Sequence, residues 1–159
     1  MGRRVRSVTM IVAFLVCLGD GTVLAQDKPA DNMDIVREKA RTDKKLVVAT
    51  VLSLTEGEAK AFWPVYNSYQ SDMIAHYDRV LKFVDTFAKS YETMTDENAT
   101  QLLGEFLALE TEYIALLNSY APRFRRVLPP VKVARLYQVE NKLRALVDYE
   151  FARAIPLIK

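Results

Sequence analysis

The stretch that decides the fold is LTEGEAKAFWPVY, residues 54–66. Thr55 and Glu58 have the spacing of a capping box, in which a threonine hydroxyl and a glutamate carboxylate accept hydrogen bonds from backbone N–H groups left unpaired at a helix start. A helix is therefore predicted to begin near Glu56. Pro64 follows within three turns, where it removes one backbone hydrogen bond and is expected to bend the helix.

The scarcity of helix-breaking residues predicts long helices. After residue 25 the chain contains only two glycines, Gly57 and Gly104, together with all six prolines. From Ala59 onward, apolar residues return every three or four positions, a period that predicts an amphipathic helix rather than a strand. The members of this seam are Phe62, Tyr66, Tyr69, Met73, Tyr77, Val80, Val84, Phe87 and Tyr91. A continuous helix over residues 56–91 would be roughly 54 Å long at ~1.5 Å per residue.

The same signals predict three further helices. Thr95 and the acidic residues after it indicate a second helix start, because negative side chains suit the positive end of a helix dipole. The seam of that helix comprises Ala99, Leu102, Phe106, Leu109, Tyr113, Leu116 and Tyr120. Pro129 and Pro130 end it and open a last helix, while residues 34–52 form a first one. The predicted fold is all-α: four helices with two long central ones, arranged as a thin bent hairpin or cradle with coiled-coil packing, which forms a homodimer.

The first 25 residues have the pattern of a secretory signal peptide. Three arginines precede an apolar run of 11 residues, too short to span a bilayer, which takes roughly 20. We therefore expect cleavage after residue 25 and no integral membrane span in the remaining chain. Residues 26–33 are predicted to be a flexible lead and residues 34–159 a single helical domain.

The chain that remains after cleavage is electrically balanced. Removing three arginines and one aspartate from 22 basic and 20 acidic residues leaves 19 of each, so net charge gives no indication of nucleic-acid binding. No cysteine remains either. An exported protein without disulfides depends on its apolar core or on oligomerisation for stability.

The residues that carry most enzyme chemistry are scarce. His76 is the only histidine, no motif pairs a serine with a histidine base, and no glycine-rich phosphate loop occurs. We therefore predict no catalytic residue, no enzyme activity and no cofactor. Asp72 and His76 share one helix face, but a zinc site takes three or four ligands. The prediction is no metal site, with His76 exposed or at a helix edge.

The helix start formed by Leu54, Thr55 and Glu58 resembles the LTxxQ motif of the Spy/CpxP family of periplasmic helical proteins, with Glu58 in place of glutamine. A second such motif opens a later helix in that family. Its position here falls at Leu128, which keeps the leucine but is followed by neither the threonine nor the glutamine. In helix order and length the resemblance covers roughly residues 34–155.

The family resemblance implies a location and a set of roles. It implies a periplasmic, curved and often dimeric helical cradle. The implied roles are an ATP-independent chaperone, an inhibitor of an envelope-stress sensor kinase, or a metal-stress protein. The implied partners are unfolded or envelope proteins, or the exported domain of a sensor kinase.

Charge is distributed unevenly along the second half of the chain. Between Ser90 and Pro122 there are six acidic residues and no lysine or arginine, whereas the segment from Arg123 to Arg144 has a net charge of plus six. We predict a basic partner-binding surface at the hinge between the last two helices, formed by Arg123, Arg125, Arg126, Lys132 and Arg135. Such a surface would recruit an anionic client, an acidic sensor surface or lipid headgroups. The alternative is that it only solvates the hinge or pairs with acids of a second subunit.

Aromatic residues suggest a second way of binding. Eight tyrosines, six phenylalanines and Trp63 follow residue 25, and tyrosine tolerates both apolar packing and water. A partly exposed aromatic surface beside arginines would suit loose binding of unfolded chains. Three hypotheses therefore remain open: a chaperone or sensor adaptor, a zinc- or copper-binding stress protein, and a structural bundle without client activity.

Overall fold

The computed structural model describes residues 42–158. The described part of helix α1 is residues 42–52. Helix α2 spans Glu56–Ser90 and is followed by a 3-10 turn, Tyr91–Thr93; α3 spans Asp96–Arg125 and α4 spans Pro130–Ala154. Among the described residues, α2 and α3 are the two longest helices.

The fold class predicted from the sequence is confirmed. Within residues 42–158 the chain is 89% helical and contains no strand, with α2 and α3 as the two long central helices. The predicted signal peptide (residues 1–25), the lead (residues 26–33) and the first part of the predicted first helix lie outside the described residues.

Backbone contacts divide the described chain into two compact units. The hairpin unit comprises residues 54–134, together with Ile158, and so contains α2, α3 and the start of α4. The terminal unit comprises residues 42–53 and 135–157. The single domain over residues 34–159, the cradle shape and the homodimer stay predictions.

Helix α2 begins with the capping box that the sequence predicts. Thr55 Oγ1 accepts a hydrogen bond from the backbone N–H of Glu58 at 3.3 Å, and Glu58 Oε2 accepts one from the backbone N–H of Thr55 at 2.8 Å. The helix then continues through Pro64 to Ser90. The predicted capping residues are therefore confirmed, and the bend at Pro64 stays a prediction.

Aromatic rings join α2 to α3. The ring pairs, with centroid separations, are Phe62–Phe124 (5.8 Å), Tyr69–Tyr120 (5.3 Å), His76–Tyr113 (5.8 Å) and Phe83–Phe106 (6.3 Å). As the residue number rises along α2, the number of its partner on α3 falls, so the two helices are antiparallel. The rings of Phe62, Tyr69, Tyr120 and Phe124 are almost completely buried, which places the densest part of the core near the start of α2.

The turn between α3 and α4 is built as the prolines predict. Arg126 caps α3, and its backbone N–H points to the carbonyl oxygens of Arg123 and Phe124. Leu128 is buried, and its backbone N–H donates to Phe124 O at 2.9 Å. Helix α4 then starts at Pro130, a position where the missing N–H of proline costs no helical hydrogen bond.

Candidate binding surfaces on helix α3

Helix α3 has three faces with different chemistry. Its buried face carries Leu102, Leu109, Tyr113, Tyr120 and Phe124. A second face is apolar but exposed, and a third is charged and borders a cleft against α2. Because an α-helix turns by about 100° per residue, these faces can be assigned from the sequence positions together with the observed burial.

The exposed apolar face is the feature that sequence analysis missed. We call it the apolar row: Leu103, Phe106, Leu107 and Ile114, with exposed fractions of 58, 46, 54 and 51%. Leu103, Leu107 and Ile114 fall within about 40° of arc around the helix axis. Phe106 was predicted to lie in the buried seam, but it sits at the edge between the buried face and the row.

The charged face carries an interhelical cluster of ionisable side chains. The guanidinium of Arg79 on α2 donates two hydrogen bonds to the carboxylate of Glu112 on α3, with Nε and Oε2 3.1 Å apart. His76 Nδ1 lies 3.5 Å from Glu112 Oε2, too far for a hydrogen bond. His76 is only 4% exposed, so the expectation of an exposed or edge histidine is wrong: its ring packs against Tyr113 in the helix interface.

A buried phenol makes a second polar link between the same helices. Tyr120 donates its hydroxyl to Asp72 Oδ2 at 2.6 Å. Burial raises the pKa of Tyr120 to about 12, and the neighbouring Asp72 carboxylate adds to the shift because it disfavours a second negative charge. The phenol therefore stays protonated at neutral pH and acts as a fixed hydrogen-bond donor.

An open cleft of about 430 Å³ lies over this charged face. It is lined by Asp72, Ala75, Arg79, Glu112, Ala115, Leu116 and Ser119. Its polar side chains already have partners: Arg79 binds Glu112, and Asp72 accepts from Tyr120. The one hydroxyl on its lining, Ser119 Oγ, donates to Leu116 O at 2.8 Å within the helix. These polar contacts therefore hold α2 against α3. The lining of the cleft contains no nucleophile that is hydrogen-bonded to a base.

The basic residues predicted as one partner-binding surface divide into two groups. Arg123, Arg125 and Arg126 are exposed at the end of α3, where Arg123 covers the Tyr120 ring at 4.6 Å from its centroid. Arg125 and Arg126 make no ion pair within residues 42–158. On the helix, Arg125 shares the arc of the apolar row, whereas Arg123 and Arg126 point toward the charged face.

Lys132 and Arg135 have structural partners instead. Lys132 Nζ lies 2.6 Å from Glu58 Oε2, so the carboxylate that caps α2 also binds the first turn of α4. The Lys132 ammonium and the backbone N–H of Thr55 hold the pKa of Glu58 below its ordinary value. Arg135 belongs to the terminal unit, where its Nη1 donates to Val51 O at 3.5 Å.

The terminal unit contains an ion pair whose carboxylate is buried. Lys44 Nζ lies 2.7 Å from Glu140 Oε2, and the Glu140 side chain is 6% exposed. Glu140 is the single acid in the otherwise basic segment, and its partner comes from α1. This pair is best explained as part of the packing of that unit.

The described helices include none that is long and apolar enough to cross a membrane. Within residues 42–158 no group of three or more histidine, cysteine, aspartate or glutamate side chains is placed to hold a metal ion. Comparison with models of known protein families, with curated proteins and with solved structures gave no match.

Proposed function

We propose that this protein is an exported, non-enzymatic binding protein that holds unfolded or partly folded envelope proteins through the apolar row of α3. The observation that carries the proposal is the row itself. Helix α3 already buries a complete apolar face against α2, so a second apolar face on the same helix has no role in the hairpin core. The predicted signal peptide supports a periplasmic location, and the resemblance of residues 54–58 to the LTxxQ motif supports a chaperone-type role.

The size of the row suits weak and reversible binding. Complete burial of a leucine, isoleucine or phenylalanine side chain contributes about 1.5–3 kcal/mol, so covering four half-exposed side chains contributes about 4 kcal/mol in all. Association entropy opposes much of this gain. A client segment would therefore bind loosely and leave without ATP, as a chaperone that prevents aggregation requires.

Suppression of client aggregation tests the proposal. The chain from Gln26 onward, added in equal amount to two chemically unfolded clients, is expected to reduce light scattering without ATP. The double variant Leu107→Gln/Ile114→Gln is expected to lose most of this effect, whereas Ala108→Gln/Ala115→Gln, shifted by one residue off the row, keeps it. Unchanged aggregation with the unmodified chain, or equal activity of the two double variants, contradicts the proposal.

A sensor-adaptor role is a second candidate, and the exposed arginines at the end of α3 favour it. Arg123 and Arg126 lie together on the charged face, away from the apolar row, and their positive charge fits an acidic protein surface. The expected result is capture of the exported domain of an envelope sensor, weakened when Arg123 and Arg126 are both changed to glutamate. If the charge-reversed variant captures as much of the sensor domain as the unmodified chain does, the adaptor role is contradicted.

A further inference from the structure

Helix α4 carries an exposed basic strip within the terminal unit. Its members fall within about 80° of arc around the helix axis, and all of them are exposed: Arg135, Gln138, Lys142, Leu146, Tyr149 and Arg153. Leu146 and Tyr149 are each more than half exposed. The opposite side of the helix is buried at Leu136 and Glu140, so the strip lies on the outer side of α4.

The strip has an excess of positive charge. None of the three acids of α4 falls within its arc, and each of the three is paired with a base: Glu140 with Lys44 at 2.7 Å, Asp148 with Arg144 at 3.1 Å, and Glu150 with Arg153 at 3.3 Å. Arg135 and Lys142 make no ion pair with any described residue. Two of the three basic side chains of the strip are therefore left without a counter-charge.

Basic and apolar side chains share this one strip instead of lying on separate faces. Between Arg135 and Arg153 the helix rises about 27 Å at ~1.5 Å per residue, and the Arg153 guanidinium lies 5.9 Å from the centroid of the Tyr149 ring. Long basic side chains bury their apolar stems while their charged heads reach phosphate groups. Tyrosine suits the boundary between lipid and water, because its ring is apolar and its hydroxyl is polar. A flat anionic lipid surface therefore fits the strip along its whole length.

We propose that the terminal unit binds the surface of a membrane that contains anionic phospholipids, with the basic strip lying in the headgroup layer. Arg135 and Lys142 pair with lipid phosphates, which supply the missing negative charge, while Leu146 and Tyr149 enter the boundary with the acyl chains. The strip lies in the terminal unit and the apolar row in the hairpin unit, so membrane binding does not depend on the proposed client binding.

Flotation with lipid vesicles tests the proposal, using the chain from Gln26 onward. The chain should bind vesicles made of equal parts of phosphatidylglycerol and phosphatidylcholine. Binding to vesicles of phosphatidylcholine alone should be at least roughly tenfold weaker, since each base near an anionic membrane strengthens binding by roughly fivefold. A similar loss is expected at about 1 M salt, where the Debye length is only about 3 Å.

Variants on the strip should weaken vesicle binding. Lys142→Glu is expected to lower the affinity by roughly fivefold or more, and Arg135→Glu/Lys142→Glu by roughly 25-fold or more. Leu146→Gln/Tyr149→Gln keeps the charge and should lower the affinity by roughly fivefold, because it removes the apolar contacts. Lys142 has no ion pair to lose, and circular dichroism checks that each variant keeps its helix content.

A matched variant separates the strip from net charge. Arg125→Glu/Arg126→Glu makes the same change in net charge at the end of α3, and it should keep vesicle binding. No binding to the anionic vesicles, equal binding to the neutral ones, or equal loss from the two double charge reversals would overturn the proposal.

The membrane proposal and the proposed function fail separately. Leu107→Gln/Ile114→Gln should keep vesicle binding, and Leu146→Gln/Tyr149→Gln should keep suppression of aggregation. A chain that binds anionic vesicles but leaves client aggregation unchanged refutes only the proposed function. A chain that suppresses aggregation but does not bind the vesicles refutes only the membrane proposal.

Discussion

Truncation of two phenylalanines on the same helix offers a direct test of how α3 is oriented. Phe124 is 1% exposed, and its ring lies 5.8, 5.7 and 6.0 Å from the rings of Phe62, Tyr69 and Tyr120. Replacing a buried phenylalanine by alanine costs about 3–5 kcal/mol, which includes the cavity it leaves. Each lost ring contact contributes about 0.5–1.5 kcal/mol of that amount. The free energy of unfolding of Phe124→Ala should therefore fall by about 4 kcal/mol.

Phe106→Ala makes the same chemical change on the exposed face. The Phe106 side chain is 46% exposed and has one ring neighbour, Phe83, at 6.3 Å. Its truncation should cost about 1 kcal/mol, because half of its surface is already in water. Urea denaturation of both variants, followed by circular dichroism, measures the difference. With a total stability of about 5–15 kcal/mol for a domain of this kind, a gap of 2 kcal/mol or more is resolved.

The outcome that refutes this reasoning is equal destabilisation by the two truncations. It would mean that Phe106 is as buried as Phe124, and the apolar row would not exist as a surface. A cost below about 1 kcal/mol for Phe124→Ala would equally contradict the aromatic core between α2 and α3. Phe106→Ala has a second use, since it should lower client binding while leaving the hairpin folded.

Three further predictions concern charge, backbone and the buried phenol. The lowered pKa of Glu58 contributes stability that is present above its unfolded pKa of about 4.5 and is lost as the pH falls through the lower folded pKa. Urea titrations between pH 6 and 3 should show this loss of stability. Lys132→Met should make the loss smaller, because it removes the main cause of the lowered pKa. Gly104→Ala should raise the free energy of unfolding by about 1 kcal/mol, because no atom lies within 4 Å of the added Cβ and alanine favours the helix; a loss of stability would indicate an unseen contact there. The pKa of Tyr120, raised to about 12 chiefly by burial, contributes stability that is present below pH 10 and is lost as the pH rises toward 12. Tyr120→Phe should therefore flatten the alkaline decline in stability, and an unchanged decline would contradict the raised pKa of this buried phenol.

Local signals in the sequence predicted the helices well. The capping box of Thr55 and Glu58, the start of α3 after Thr95 and the start of α4 at Pro130 all depend on residues within one turn of each other. Such short-range chemistry is visible without tertiary structure. The three- and four-residue spacing of apolar positions likewise identified most of the buried residues of α2.

Pairing across the fold was not predictable from those signals. Glu58 and Lys132 are 74 residues apart, so the sequence assigned one to a helix cap and the other to a free basic surface. His76 was expected at an edge because nothing local indicated that Glu112 and Tyr113 would meet it. Ser53 adopts a left-handed backbone with a φ of 46°, without the glycine that usually marks such a turn.

The apolar row was overlooked for a related reason. Helix α3 has apolar residues on two faces. The prediction from the sequence assumed a single apolar face and assigned it to the residues that include Leu102, Leu109 and Tyr113. That choice was right for the core, but it left Leu103, Leu107 and Ile114 without a role. Only the observed exposure of these side chains shows that the helix has apolar surface beyond what the hairpin buries.

Site-specific photocrosslinking tests the central claim, that the apolar row is a binding surface, most directly. A photoreactive amino acid is placed at Leu107 in one variant and at Ala108 in a second, and each is illuminated with an unfolded client at submicromolar protein concentration. The account predicts strong crosslinking to the client from position 107 and little from position 108. Equal crosslinking from both positions, or none from position 107, would contradict it.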